Sequence, residues 1–99
     1  MRIIARRTLC EFYSKPEYKD SKIELESWFH IVKKTDWKNS AELKEQFRSA
    51  SIITSNRVVF NICGNKYRLV VSINYITQIV YGRFIGTHKE YDNINVKKV

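Results

Sequence analysis

The sequence predicts an α+β domain: a small antiparallel sheet of about four strands packed against two N-terminal helices, with a short C-terminal helix. Three observations carry that prediction. Between Arg57 and Ile85, apolar and polar residues alternate in three runs separated by turn residues, the period of two that half-buried strands require. Between Leu9 and Val32 the apolar spacings are three and four, the helical period. At 99 residues and 43% hydrophobic, the chain can bury one modest core. No repeat, low-complexity tract or linker divides it.

Met1 to Ala5 reads as a terminal strand, with β-branched Ile3 and Ile4 ahead of Arg6-Arg7. A first helix runs on to Ser14 with Leu9, Phe12 and Tyr13 inward, and Lys15-Pro16 ends it, because proline disfavours helical geometry in the residue before it. Tyr18 to Lys34 reads as a longer helix with the stripe Leu25, Trp28, Phe29 and Val32. His30 lies in this helix without a partner at metal-ligand spacing, which makes it a packing or surface histidine. Trp37 in the polar connection that follows plugs a gap in the core. Asn39 and Glu42 form a capping pair for a third short helix, Ala41 to about Phe47, with Leu43 and Phe47 inward. Arg48 to Ser51 leads towards the sheet, and Thr54-Ser55-Asn56 is a turn.

Arg57 to Cys63 is the first of the three sheet strands. Gly64-Asn65 closes a two-residue hairpin, glycine supplying the positive φ of a type II′ turn. The next strand, Lys66 to about Asn74, alternates Tyr67, Leu69, Val71 and Ile73 with Lys66, Arg68, Val70 and Ser72. The last runs from Gln78 to Ile85, alternating Ile79, Tyr81, Arg83 and Ile85 with Val80, Gly82 and Phe84. Thr87 and Glu90 then fit a capping box that opens a short helix.

Charge separates the halves. Residues 1–50 carry 11 basic and 8 acidic side chains, and residues 51–99 carry 7 and 2, so +3 and +5 make up the net +8. A field of this sign favours a polyanion, nucleic acid above all, over an anionic membrane surface or an acidic protein. Cys10 and Cys63 are too far apart for a CxxC site and read as buried reduced thiols. No apolar run has the length of a signal peptide or a membrane span, so a soluble cytoplasmic protein with no membrane partner is expected.

If Tyr67 and Leu69 pack against the helices, Lys66 and Arg68 point away from them, and Arg83 joins them if the register allows. Arg57, Lys66, Arg68 and Arg83 then stand on or beside a basic sheet face. Arginine on a rigid strand grips phosphate through two hydrogen bonds and stabilises charge in phosphoryl transfer. His88, Lys89 and Tyr91 follow at the edge of that face. A histidine exchanges protons near neutral pH, and a tyrosine does so when cations lower its pKa. RNA supplies its own 2′-hydroxyl nucleophile, so a base, an acid and a cation suffice for cleavage, with no metal and no cofactor. The competing reading is a solvated basic face whose cations serve solubility alone.

The strings FRSAS (Phe47 to Ser51), RVVFNICGNKYRLVVSINY (Arg57 to Tyr75) and RFIGTHKEYD (Arg83 to Asp92) resemble the HigB branch of the RelE/ParE toxin superfamily. The terminal strand, the Trp37-Lys38-Asn39 connection and the helix lengths fit the same branch. The resemblance implies a RelE-like fold and an mRNA interferase toxin of a bacterial type II toxin–antitoxin pair. Such a toxin cuts mRNA in the ribosomal A site and is silenced by a HigA-like antitoxin. On that reading Arg68 is the phosphate stabiliser, and His88 and Tyr91 are the acid–base candidates. Lys66, Arg83, Lys89, Asn61 and Arg57 bind the RNA, while Asn65 serves either the RNA or only its turn. Two alternatives remain open at this point: a module that grips RNA or the ribosome without cutting, and a gyrase-directed toxin acting on a protein. The lack of a glycine-rich phosphate loop, metal constellation or nucleophile elbow speaks against a metabolic enzyme.

Overall fold

The computed structural model describes residues 1–99. Its elements are β1 (Arg2–Ile4), α1 (Arg6–Tyr13), a 3₁₀ segment (Pro16–Ser21), α2 (Lys22–Lys33), α3 (Ser40–Gln46), β2 (Ser51–Thr54), β3 (Arg57–Ile62), β4 (Tyr67–Asn74), β5 (Ile79–Thr87) and α4 (His88–Tyr91). The strands form one 5-stranded sheet in the order β1-β5-β4-β3-β2.

This is the α+β architecture that the sequence predicts, with two differences. The sheet is mixed, because β1 pairs with β5 in parallel. Pattern alone cannot name the partner of a terminal strand, and here the only free edge near it runs the same way. The extra strand is β2, which pairs antiparallel with β3 across a tight turn at Ser55-Asn56. Its β-branched Ile52, Ile53 and Thr54 were available as a signal, but the run is too short to show alternation.

The second helix also differs from expectation at its start. Residues 16–21 form a 3₁₀ segment, and α2 begins only at Lys22. Proline sits at the entry, and the buried Ser21 hydroxyl donates to the Tyr18 carbonyl at 2.7 Å, a local bond that competes with regular helix. Tyr18 stacks on Phe12 with ring centroids 4.4 Å apart, and both rings meet Tyr67 edge-on. The α2 stripe is buried as expected at Leu25, Trp28 and Val32, with Phe29 partly so. Trp37 is buried, and its indole N–H donates to Gln46 Oε1 at 3.0 Å. Asn39 accepts from the Glu42 N–H, and the Glu42 carboxylate reaches back to the Lys38 N–H. Cys10 and Cys63 are free thiols but only half-buried.

β4 is central, and one face of it meets the helices. Tyr67, Leu69, Val71 and Ile73 join Val58, Phe60 and Ile62 of β3 in the core with α1, α2 and α3. The connection to β4 is the four-residue turn 63–66 and not the expected two-residue one: Gly64 has φ +67 and the Lys66 N–H donates to the Cys63 carbonyl, but the strands pair only up to Ile62 and Tyr67. Unexpectedly, Cys63 is also left-handed, at φ 53. Its N–H donates to Glu24 Oε2 at 2.7 Å, a bond from α2 that holds the strained residue.

The β4–β5 register shifts between Val70 and Val71, which leaves Arg83 as an extra residue on β5. This bulge changes the predicted alternation. Tyr81, Arg83 and Phe84 fall on the face away from the helices, while Gly82 and Ile85 turn inward. At Gly82 the inward turn brings the start of the chain very close: a Cβ there would stand 2.6 Å from Ala5 Cβ and 3.4 Å from Ala5 Cα. Alanine has no side chain to rotate away, so only backbone movement relieves the clash. Gly82→Ala is therefore expected to destabilise the fold by about 1–3 kcal/mol, read from denaturant unfolding. Unchanged stability would show that the β1–β5 junction adjusts freely.

Candidate active site

The outer face of the sheet is built in rows set by the strand register. Asn61, Arg68 and Gly86 share one row, Val59, Val70 and Phe84 the next, and Arg57, Ser72 and Tyr81 a third. Only the first row resembles the open cationic floor that alternation suggests. Val59 and Val70 are buried here as well. α4 packs on β4 and β5, and the chain beyond it doubles back until the Val99 carbonyl accepts from Arg57 Nη1. The two end rows lie four residues apart on β4, about 13 Å at strand rise. Arg57 is thereby separated from Arg68 and occupied by the chain itself.

The segment from Gly86 to Asp92 forms the other wall. The Thr87 hydroxyl accepts from the Glu90 N–H at 3.1 Å, and the Glu90 carboxylate accepts from the Thr87 N–H at 2.8 Å, the capping box expected from sequence. Gly86 is needed beneath it, because a Cβ would stand 2.6 Å from Phe84 Cζ and 2.9 Å from Glu90 Oε1. The His88 N–H donates to the Lys66 carbonyl at 3.1 Å, which pins the helix to the hairpin turn. From this short helix Tyr91 reaches Arg68, whose guanidinium carbon lies 5.8 Å from the ring centroid, a cation–π contact. Arg68 Nη1 donates to the carbonyls of Asn65, at 3.1 Å, and Tyr67, at 3.4 Å. Nε and Nη2 make no hydrogen bond within the chain.

The structure thus pairs Asn61 with Arg68 on the sheet and sets Tyr91 against Arg68, with His88 and exposed Lys89 on the same short helix as Tyr91. Asn61 Nδ2 also donates to the Ser49 carbonyl at 3.3 Å. Arg83 is on the same face but not in the same row. Its Nε donates to the Ser72 hydroxyl at 2.9 Å and its guanidinium lies over Tyr81, about 8 Å along the sheet from Arg68. Lys66 departs from the expected direction. It belongs to the turn, where strand alternation no longer applies, and its ammonium pairs with Asp20 of the 3₁₀ segment, on the helix side. No set of three or more His, Cys, Asp or Glu side chains comes together as a metal site. No helix is long and apolar enough to cross a membrane.

Two acids escaped sequence reasoning. Asp92 lies four residues after His88, and its Oδ2 is 3.0 Å from His88 Nδ1; the i, i+4 spacing was the available signal. Asp20 accepts from Lys66 and, at Oδ1, from the buried Tyr67 hydroxyl at 2.7 Å. Nothing local marks a contact across 47 residues.

The fold and site first define a class: a small basic RelE-like domain with an Arg68–Tyr91 contact between its sheet and a short helix that also carries His88. Residues 21–94 match the family described as HigB_toxin, RelE-like toxic component of a toxin-antitoxin system. The mRNA interferase toxin HigB of Escherichia coli (strain K12) is 32% identical over 94 residues, covering 93% of this chain and 88% of that protein. The mRNA interferase HigB of Shigella flexneri matches to the same extent. That of Escherichia coli O6:H1 is 25% identical over 96 residues, covering 95% and 91%. The chain belongs to the HigB toxin family and is the toxic component of a toxin–antitoxin system.

The Asp20 contacts give a pH test of how the site is braced. The Lys66 hydrogen bond, followed by that of Tyr67, holds the Asp20 carboxyl below the usual carboxylate range. Lys66 is raised by the same bond. The Tyr67 hydroxyl is pushed up, chiefly by burial and next by Asp20. Because Asp20 has a lower pKa folded than unfolded, its contribution is present above the usual carboxylate range and lost as pH falls through the folded value. Asp20→Asn is expected to be less stable than wild type at pH 7, with the gap closing in acid. Denaturant unfolding at both pH values checks this; a gap independent of pH would rule out the carboxylate as its source.

Proposed function

We propose that this toxin is a metal-independent endoribonuclease that cuts translated mRNA in the ribosomal A site. It acts in the cytoplasm and is silenced by a HigA-like antitoxin. The relatives' designation as mRNA interferases supports the reaction. The observation that carries it on this chain is the Arg68 guanidinium held over Tyr91, on the short helix that also bears His88, with Nε and Nη2 making no hydrogen bond.

The chemistry follows from that arrangement. Arg68 grips the scissile phosphate and stabilises the charge that develops on its oxygens as the 2′-oxygen attacks. The O2′–P bond forms, the P–O5′ bond breaks, and a 2′,3′-cyclic phosphate and a 5′-hydroxyl result. His88 and Tyr91 handle the two protons, one leaving the 2′-hydroxyl and one arriving at O5′. Lys89 and Asn61 flank this point and hold the adjoining backbone. Arg83 lies further out along the same face, suited to the message beyond the scissile phosphate. The ribosome presents the message in an extended form and brings the 2′-hydroxyl into line, a contribution that a shallow protein surface cannot make alone.

Inducible expression in a bacterial host, with growth curves and 5′-end mapping of mRNAs, tests the proposal. Wild type is expected to arrest growth and leave new in-frame cuts in translated messages. Arg68→Ala and His88→Ala are expected to remove both. On programmed ribosomes, Arg68→Ala should lower single-turnover cleavage about 10²–10³-fold, the usual loss for a donor to developing oxyanion charge. Arrest by the wild type without any cuts would overturn the nuclease reading.

A further inference from the structure

α4 brings His88 and Asp92 together one turn apart, and Tyr91 of the same helix lies against Arg68. His88 Nδ1 is 3.0 Å from Asp92 Oδ2. An ionised carboxylate only accepts hydrogen bonds, so Nδ1 carries the hydrogen. In the neutral ring the lone pair is then at Nε2, the nitrogen turned away from Asp92. Both ends of the pair are held by backbone. The His88 N–H is bound to Lys66 O at 3.1 Å, and the Asp92 N–H donates to the His88 carbonyl at 3.0 Å. The other charged groups on α4 and on the strands it packs against are Lys89, Arg68, Arg83 and Glu90; Glu90 is engaged with the Thr87 N–H and Lys66 of the adjoining turn with Asp20. Asp92 is the one acid directed at the imidazole.

We infer that Asp92 is a positioning residue that sets His88 as the base of the reaction. It holds the Nδ1–H tautomer, so that Nε2 takes the proton of the 2′-hydroxyl as the O2′–P bond forms. Its charge then stabilises the imidazolium, while Tyr91 delivers the proton to O5′ as the P–O5′ bond breaks. This inference rests on the RNA-cleavage reading and assigns direction to its two proton transfers.

Two measurements test it, one of them independent of activity. Nitrogen-15 NMR of the imidazole rings in the isolated toxin, with His30→Gln to assign the two histidines, reads the tautomer. Wild type is expected to show His88 as Nδ1–H, and Asp92→Ala to show a mixture. On programmed ribosomes, Asp92→Ala and the volume-conserving Asp92→Asn should each lower the single-turnover rate about 10–100-fold, typical of an outer partner that orients a histidine. Apparent affinity for the ribosome should stay unchanged, and circular dichroism confirms that both variants fold. An Nε2–H tautomer in wild type, or wild-type cleavage rates in both variants, overturns the inference. A wild type with the expected tautomer that cuts no message overturns the RNA-cleavage reading, and the catalytic use of the pair with it.

Discussion

The alternation of β4 is the constraint on which the rest of this molecule depends. A strand sends successive side chains to opposite faces, so burying Tyr67, Leu69, Val71 and Ile73 against the helices forces Arg68 outward. Tyr67 secures the arrangement from within, packed against Phe12 and Tyr18 with its hydroxyl on Asp20. A one-residue slip would bury a guanidinium and expose a tyrosine. The position of Arg68 is therefore backed by the whole core. This is the rigid support that a site working through orientation needs.

The second wall has a different origin. Gly86 to Asp92 is held by local bonds: the reciprocal cap of Thr87 and Glu90, the turn of α4, and the His88–Asp92 contact. A four-residue helix has little stability of its own. It persists because His88 is tied to the hairpin turn and Tyr91 lies against Arg68. The site thus joins a strand fixed by burial to a helix fixed by capping, and the Arg68–Tyr91 contact links them.

Net charge alone overstates how many cations face a ligand. Of those on or beside the strands, Lys66 is paired with Asp20 and Arg57 with the chain end, and Arg83 leans on Ser72 and Tyr81. Arg68 retains an unengaged edge, and Lys89 stands exposed beside it. The excess of positive charge attracts RNA from a distance, whereas chemistry depends on the few groups whose donors are not already satisfied. Lys66 and Asp20 serve the site as a brace across the hairpin turn.

Much of the fold was legible because it is written at short range. The helical and strand periods, the positive φ at Gly64, the Asn39 and Thr87 caps and the outward aim of Arg68 each depend on residues within a few positions of one another. So did the gathering of His88 and Tyr91 at the end of β5, once the capping box was recognised. Where partners are distant or a pattern breaks, sequence stopped short. The parallel docking of β1, the bulge at Arg83, the cover over Val59 and Val70, and the capture of Lys66 by Asp20 and of Arg57 by Val99 have no local signature. Periodicity decides which way a side chain starts out from the backbone. Only the packed structure decides what it meets there, because that partner comes from elsewhere in the chain.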